Sequence, residues 1–258
     1  MLEWIEARRF VIDEVAFMTL GDAANPADDR VALHLMTVVP STSSQFLIAK
    51  SNDVVELYRE LIHDRRPRHI VELGIFRGGS TAFLALLARP ERLIAFEYET
   101  ERVAALDELI DRFDLSDRVT LMYGIDQAER ARIEDVVARE FEGVPLDLVI
   151  DDASHQLTQT RASFDTLFPL LRSGGCYVIE DWAWAHAIPD LYDGMSISPL
   201  VVEASVACAR SRGGVVSFVD IRYGAAVMGR GETPLDPSFH LADWCDERDY
   251  AVLGIPPR

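Results

Sequence analysis

The chain has 258 residues, with 25 basic against 43 acidic side chains, a formal charge of −18 and a hydrophobic share of 49%. That apolar share excludes a disordered chain, which could not bury enough surface to offset its ordering entropy. The acidic balance argues against nucleic acids and anionic membrane surfaces as partners, because both are met by clustered Lys and Arg. It leaves cationic ligands, metals and neutral substrates open. Lys50 is the only lysine, so arginine supplies the rest of the basic count, which carries no functional inference.

In chain order, LEWIEARRFVIDEVAFM reads as an amphipathic helix and GDAANPADD as a loop. A second helix at 52–65 leads into the first strand. From residue 69 onward, short apolar runs alternate with helical periodicity. Strands are predicted at 69–74, 92–97, 118–124, 146–152 and 176–181, with helices between them at 79–89, 100–113, 127–141 and 158–172. Continuous apolar strands alternating with helices indicate a parallel sheet covered on both faces. Pro90 and the run Ser173-Gly174-Gly175 are helix stop signals that agree. A fifth helix at 199–211 precedes strands at 215–222 and 224–229. Only a hairpin fits so short a connection, so the last strand runs antiparallel to its neighbour.

The expected fold is therefore α/β: seven strands, mostly parallel, the last antiparallel, helices on both faces, and a helical N-terminal cap. One domain spans 1–258, with a cap at 1–50, a core at 51–230 and a C-terminal tail at 231–258. Cys176, Cys208 and Cys245 are far apart and form no C-x-x-C pair, so neither a zinc site nor a disulfide framework is expected. No run approaches the ~18 apolar residues of a membrane span and no signal-peptide pattern is present, which makes a reducing cytoplasm the expected compartment.

The first strand ends in Glu72-Leu73-Gly74-Ile75-Phe76-Arg77-Gly78-Gly79-Ser80. Glycines there permit a tight turn and close approach of a ligand to the main chain. A triphosphate-binding loop needs a lysine that is missing. A dinucleotide loop needs a middle glycine that is also missing, and Glu72 would repel a phosphate. A carboxylate at this spot suits an ammonium group, such as that of S-adenosylmethionine, which also carries a sulfonium and no phosphate. The second strand ends at Glu97, where an acid can accept hydrogen bonds from a ribose diol. The third ends in Gly124-Ile125-Asp126-Gln127; Asp126 or Gln127 would read an adenine edge or, equally, cap the next helix.

Taken in series, these strand ends resemble the class I S-adenosylmethionine-dependent methyltransferases over about residues 55–230. The resemblance implies a Rossmann-like core. It implies Glu72 for the methionine amino group, Gly74 and Gly78 for the cofactor loop with Ser80 beside them, and Glu97 for the ribose. Asp126 falls at the adenine position, and Gln127 and Asp151 complete the cofactor-binding candidates.

The fourth strand closes with Asp151-Asp152-Ala153-Ser154-His155 and the fifth with Glu180-Asp181-Trp182. In an open α/β sheet the ligand crevice lies beyond the carboxyl ends of the strands, and sequential parallel strands are often neighbours. Carboxylates gathered there repel one another, and a divalent cation removes that cost. Oxygen donors favour Mg²⁺, with Mn²⁺ and Ca²⁺ as alternatives, and His155 suits a base better than a Mg²⁺ ligand. The phrase VIDDASH…SFDTLFPLLRSGGCYVIEDW resembles the metal-dependent sugar O-methyltransferases of macrolide biosynthesis and related bacterial small-molecule methyltransferases. That resemblance implies metal ligands at Asp152, Glu180 and Asp181 and a general base at His155. Ala153 replaces a common glycine.

The expected activity is Mg²⁺-dependent methylation of a hydroxyl on a sugar or glycosylated small molecule. Asp152 and His155 are the catalytic candidates. A catechol-like or other small-molecule acceptor, a non-catalytic cofactor-binding scaffold and a hydroxylase family sharing this scaffold are the alternatives, and a homo-oligomer stays open. After Asp181, WAWAHAIPDLYDGMSISP is an unpatterned stretch with Trp182, Trp184, His186 and Tyr192. It reads either as a lid whose aromatic faces suit sugar rings or as core filling. The segment around His34 and the stretch STSSQ at 41–45 are candidates to close over the cofactor.

Overall fold

Alternation with a period of two, not helical periodicity, governs the N-terminus. The computed structural model describes residues 2–21, 40–187 and 194–253, the last three by their backbone alone. Where a helix was expected it has strands β1 (Glu3–Glu6), β2 (Arg9–Ile12) and β3 (Val15–Met18). Phe10 and Ile12 of β2 and Val15 and Phe17 of β3 are buried, while the residues between them are half-buried. Asp13 and Glu14 join β2 to β3 with φ of 47° and 69°. A two-residue turn with both φ positive matches the twist of a hairpin. Strand β4 (Gln45–Leu47) pairs parallel with β3, giving the order β1-β2-β3-β4. Phe10 stacks on Phe17 at 5.1 Å, and both meet Phe83 edge-on. The expected helical cap is thus corrected to a small sheet. The expected loop at 21–29 (past Gly21) and His34 lie outside the described residues.

The chain divides into two compact units, Met1–Ile125 and Asp126–Arg258. In the first, helix α1 (Asn52–Arg65) starts at Ser51, whose Oγ accepts from the Val54 amide. Then β5 (His69–Leu73), α2 (Gly79–Ala88), β6 (Arg92–Glu97), α3 (Ala104–Arg112) and β7 (Val119–Tyr123) follow. The strands run parallel in the order β5-β6-β7. Their interior residues, such as Ile70, Val71, Ile94 and Ala95, are fully buried, as expected for strands covered on both faces.

The second unit has α4 (Arg130–Phe141), β8 (Leu146–Asp151), α5 (Leu157–Leu167), β9 (Leu171–Glu180) and a short α6 (Trp184–Ala187). It continues with α7 (Ser198–Arg210), β10 (Val216–Ile221), β11 (Ala225–Arg230) and α8 (Glu247–Leu253). The strand order is β10-β11-β9-β8, with β8 parallel to β9 and β11 antiparallel to both its neighbours. The seven core strands predicted are all present, and the last is reversed as expected. The boundaries around the fourth helix moved: the helix predicted to reach 172 stops at Leu167, a 3-10 turn over Phe168–Leu170 follows, and Ser173-Gly174-Gly175, read as its stop signal, lies inside the next strand. Pro169 has no N–H to continue the helix, so β9 starts at Leu171. The tail is anchored: Arg161 pairs with the buried Glu203, which also accepts from Tyr250 Oη at 3.1 Å. No described helix is long and apolar enough to cross a membrane.

Candidate active site

Both units present their chemistry-bearing residues at the carboxyl ends of strands. In the first, β5 ends in a loop shaped by positive φ at Gly74 (98°), Phe76 (49°) and Gly78 (79°). Gly78 caps α2, and Gly79 opens it. A Cβ on Gly79 would lie 2.0 Å from the Leu47 carbonyl oxygen, so only glycine admits the backbone that crosses there. Ser41 Oγ donates to the Arg77 carbonyl at 2.9 Å, which brings one end of the 41–45 stretch onto the loop. Ser80 is buried in the first turn of α2.

Glu72 is fully buried, and Thr81 Oγ1 donates to its Oε2 at 2.6 Å. Glu97 holds the loop itself: Oε2 accepts from the amides of Ile75 (3.0 Å) and Phe76 (2.8 Å), and Oε1 from Glu99 (2.9 Å). A carboxylate offers about four acceptor directions. Three of them are taken by these backbone amides.

In the second unit, Asp126 Oδ1 accepts from the Ala128 amide, and the Asp126 amide donates to Glu129 Oε1. These bonds shape the turn into α4. Gln127 is buried and neither caps that helix nor faces outward. Its Nε2 donates to both oxygens of Asp151 (3.0 and 3.1 Å) and to Ser163 Oγ, and its Oε1 accepts from the Ser154 amide at 2.8 Å. Asp151 also accepts from Ser163 Oγ (2.6 Å) and Tyr177 Oη (2.9 Å). Burial pushes its carboxyl up to about 6, opposed by these three donors and aided by the charge of Asp152. Burial likewise pushes the Tyr177 phenol well above its ordinary range. Sequence reasoning missed Thr81, Ser163 and Tyr177. Their only signal was a polar residue at a buried helix or strand position.

Strand alternation sends the next side chain the other way. Asp152, His155 and Asp181 each place one donor atom within 4.8 Å of the others. His155 Nε2 is 4.0 Å from Asp152 Oδ1 and 4.0 Å from Asp181 Oδ2. All three are about a fifth exposed, so they are reachable yet largely shielded. His155 and Asp181 both adopt left-handed φ, 55° and 54°. For non-glycine residues that costs on the order of 1–2 kcal/mol each and clusters at functional sites. The His155 ring packs on Trp184 with centroids 4.5 Å apart. Glu180 is buried at the end of β9 and lies outside this three-residue group. His186 Nε2 instead meets Ser196 and Ser198, each at 3.1 Å. Tyr192 lies outside the described residues.

Residues 71–182 match a family model described as a methyltransferase domain. The mycinamicin VI 2''-O-methyltransferase of Micromonospora griseorubida is 36% identical over 80 residues, which is 25% of this chain and 20% of that protein. The demethylmacrocin O-methyltransferase of Streptomyces fradiae is 45% identical over 64 residues, 25% of this chain and 15% of that protein. The chain therefore aligns with about a fifth or less of these relatives' length. Among solved structures, the MycE methyltransferase of the mycinamycin pathway, in complex with Mg, SAH and mycinamycin VI, matches with a TM-score of 0.50 and 23% identity. That match covers 69% of this chain and 48% of that one. An O-methyltransferase from Bacillus cereus in complex with SAH matches with a TM-score of 0.52 and 19% identity, over 81% of this chain and 93% of that one. Residues 71–182 thus match a methyltransferase-domain model, and the chain has the Rossmann-like α/β fold of these solved structures.

Proposed function

We propose that the chain is an S-adenosylmethionine- and Mg²⁺-dependent O-methyltransferase acting on a hydroxyl of a sugar or glycosylated small molecule, with His155 as general base. The observation that carries this reading is the convergence of Asp152, His155 and Asp181 within the stretch that matches a methyltransferase-domain model. Two carboxylates so close to one another are costly without a cation. Their oxygen donors suit Mg²⁺, the ion present in the mycinamycin methyltransferase complex. Asp152 and Asp181 would hold the metal, with Glu180 as the third carboxylate that the resemblance implies.

In the first unit, Glu72 would receive the cofactor's ammonium, Gly74, Gly78 and Ser80 its methionine end, and Glu97 one ribose hydroxyl through Oε1. Asp126 would take the adenine position. Gln127 and Asp151 would act from below, fixing the Ser154 amide and hence the loop that carries His155. Bound cofactor supplies an electrophilic methyl group on a cationic sulfur, and the metal stabilises charge developing on the acceptor oxygen. The protein's share is positioning and proton transfer: His155 Nε2 takes the acceptor's hydroxyl proton as the oxygen becomes a nucleophile. Holding the reactants in line can contribute about 7–11 kcal/mol in well-aligned cases.

Calorimetric titration with S-adenosylmethionine, with and without Mg²⁺, tests the reading. Binding of the cofactor is expected. Absence of binding at high micromolar cofactor would overturn it.

A further inference from the structure

Trp182 and Trp184 stood out in the sequence as aromatic faces for a sugar, yet their contacts run elsewhere. Asp181 follows β9 in a left-handed conformation and is tied on both sides. Its amide donates to the Gly224 carbonyl at 3.0 Å, in the turn of the β10–β11 hairpin, and its carbonyl accepts from the Trp184 amide at 3.1 Å. The Trp182 indole Nε1 donates to the Arg222 carbonyl at 2.8 Å, in the same turn. Two hydrogen bonds two residues apart thus fasten the hairpin turn to the strand end that presents the Asp181 carboxylate. The turn is closed on itself by the Arg222 amide, which donates to the Ala225 carbonyl at 2.9 Å. Trp184 then leans its ring on His155 at 4.5 Å, tilted by 46°.

We propose that Trp182 and Trp184 are positioning residues: Trp182 latches the hairpin turn that aims Asp181, and Trp184 braces the His155 imidazole. The inference rests on the metal-site reading above. Its physical basis is strain: two left-handed side-chain-bearing residues hold that conformation only when their surroundings over-determine it. Substituting groups that orient metal ligands typically costs about 10- to 100-fold in metal affinity. Neither tryptophan needs to touch an acceptor for this role.

The test is Mn²⁺ titration, followed by the loss of the free-ion electron paramagnetic signal, on the native chain, Trp182→Phe and Trp184→Leu, without cofactor or acceptor. Trp182→Phe keeps an aromatic ring at the position while removing the N–H donor and part of the indole, and thermal melting checks that each variant is folded. Loss of one neutral hydrogen bond at such a position is expected to weaken Mn²⁺ binding by about fivefold or more. Trp184→Leu is expected to weaken it less. If folded Trp182→Phe and Trp184→Leu bind Mn²⁺ as the native chain does, the inference is wrong. If the native chain binds no Mn²⁺ at all, the metal-site reading fails and the inference fails with it.

Discussion

Beneath the end of β8, the Asp151 carboxylate accepts from Gln127, Ser163 and Tyr177 and is shut away from water. One residue further, Asp152 is about a fifth exposed, 4.0 Å from the His155 imidazole and within 4.8 Å of the Asp181 carboxylate. The two acids are neighbours in sequence and share one strand end. Pleating turns one inward and the other outward. The inner acid is saturated with donors and rigid. The outer one stands in a cluster with an imidazole and a second carboxylate. A built network supporting a reactive cluster is how a site keeps its groups within a fraction of an ångström of working geometry.

Substitutions can break this contrast from either side. The largest effect is expected from the outer layer: Asp152→Ala or Asp181→Ala should cost about a thousandfold in methyl transfer, since a metal's charge stabilisation is worth several kcal/mol. Both should abolish Mn²⁺ binding while leaving thermal stability nearly unchanged. His155→Ala is expected to lower turnover by about a hundredfold or more and to keep cofactor affinity, measured by calorimetry. The inner layer should respond the opposite way. Asp151→Ala removes the acceptor that three buried donors share and should cost roughly 3 kcal/mol in urea denaturation, with activity falling only as the fold does.

Acidity sharpens the same comparison. Because burial raises the Asp151 carboxyl to about 6, the folded, metal-free chain binds a proton there that the unfolded chain has released. The associated stability is fully present below about 4, the unfolded carboxylate range, and is lost as pH rises through about 6. Asp151→Asn should flatten that slope in denaturant midpoints. The smallest effect concerns Cys245, whose thiol is pushed up to about 11 by burial and then by Glu203. Its alkylation by iodoacetamide near neutral pH should be slow in the folded chain and should quicken when urea unfolds it.

How much of this was legible beforehand differs between regions for physical reasons. The core strands were readable because burial on both faces leaves continuous apolar runs, and the glycine and acid motifs sit where those runs end. The sheet β1–β4 was not readable. WIEARRFVIDEVAFM satisfies a helical stripe as well as it satisfies alternation, and the deciding signal was Asp13-Glu14, an unusual pair for a turn that requires two positive φ values. Gln127 could not be placed because its partners Asp151 and Ser163 come from later elements and only the fold brings them together. His155 was placed among the site residues by its spacing, but the left-handed backbone that brings Nε2 to 4.0 Å from both carboxylates has no sequence signature.

The central claim is metal-assisted methyl transfer to a hydroxyl, and the most direct measurement is label transfer from methyl-labelled S-adenosylmethionine to a panel of sugar-bearing acceptors, with Mg²⁺ and with EDTA. The account predicts label on an acceptor oxygen with Mg²⁺ and its loss with EDTA, restored by added Mg²⁺. Transfer that proceeds unchanged in EDTA would contradict it.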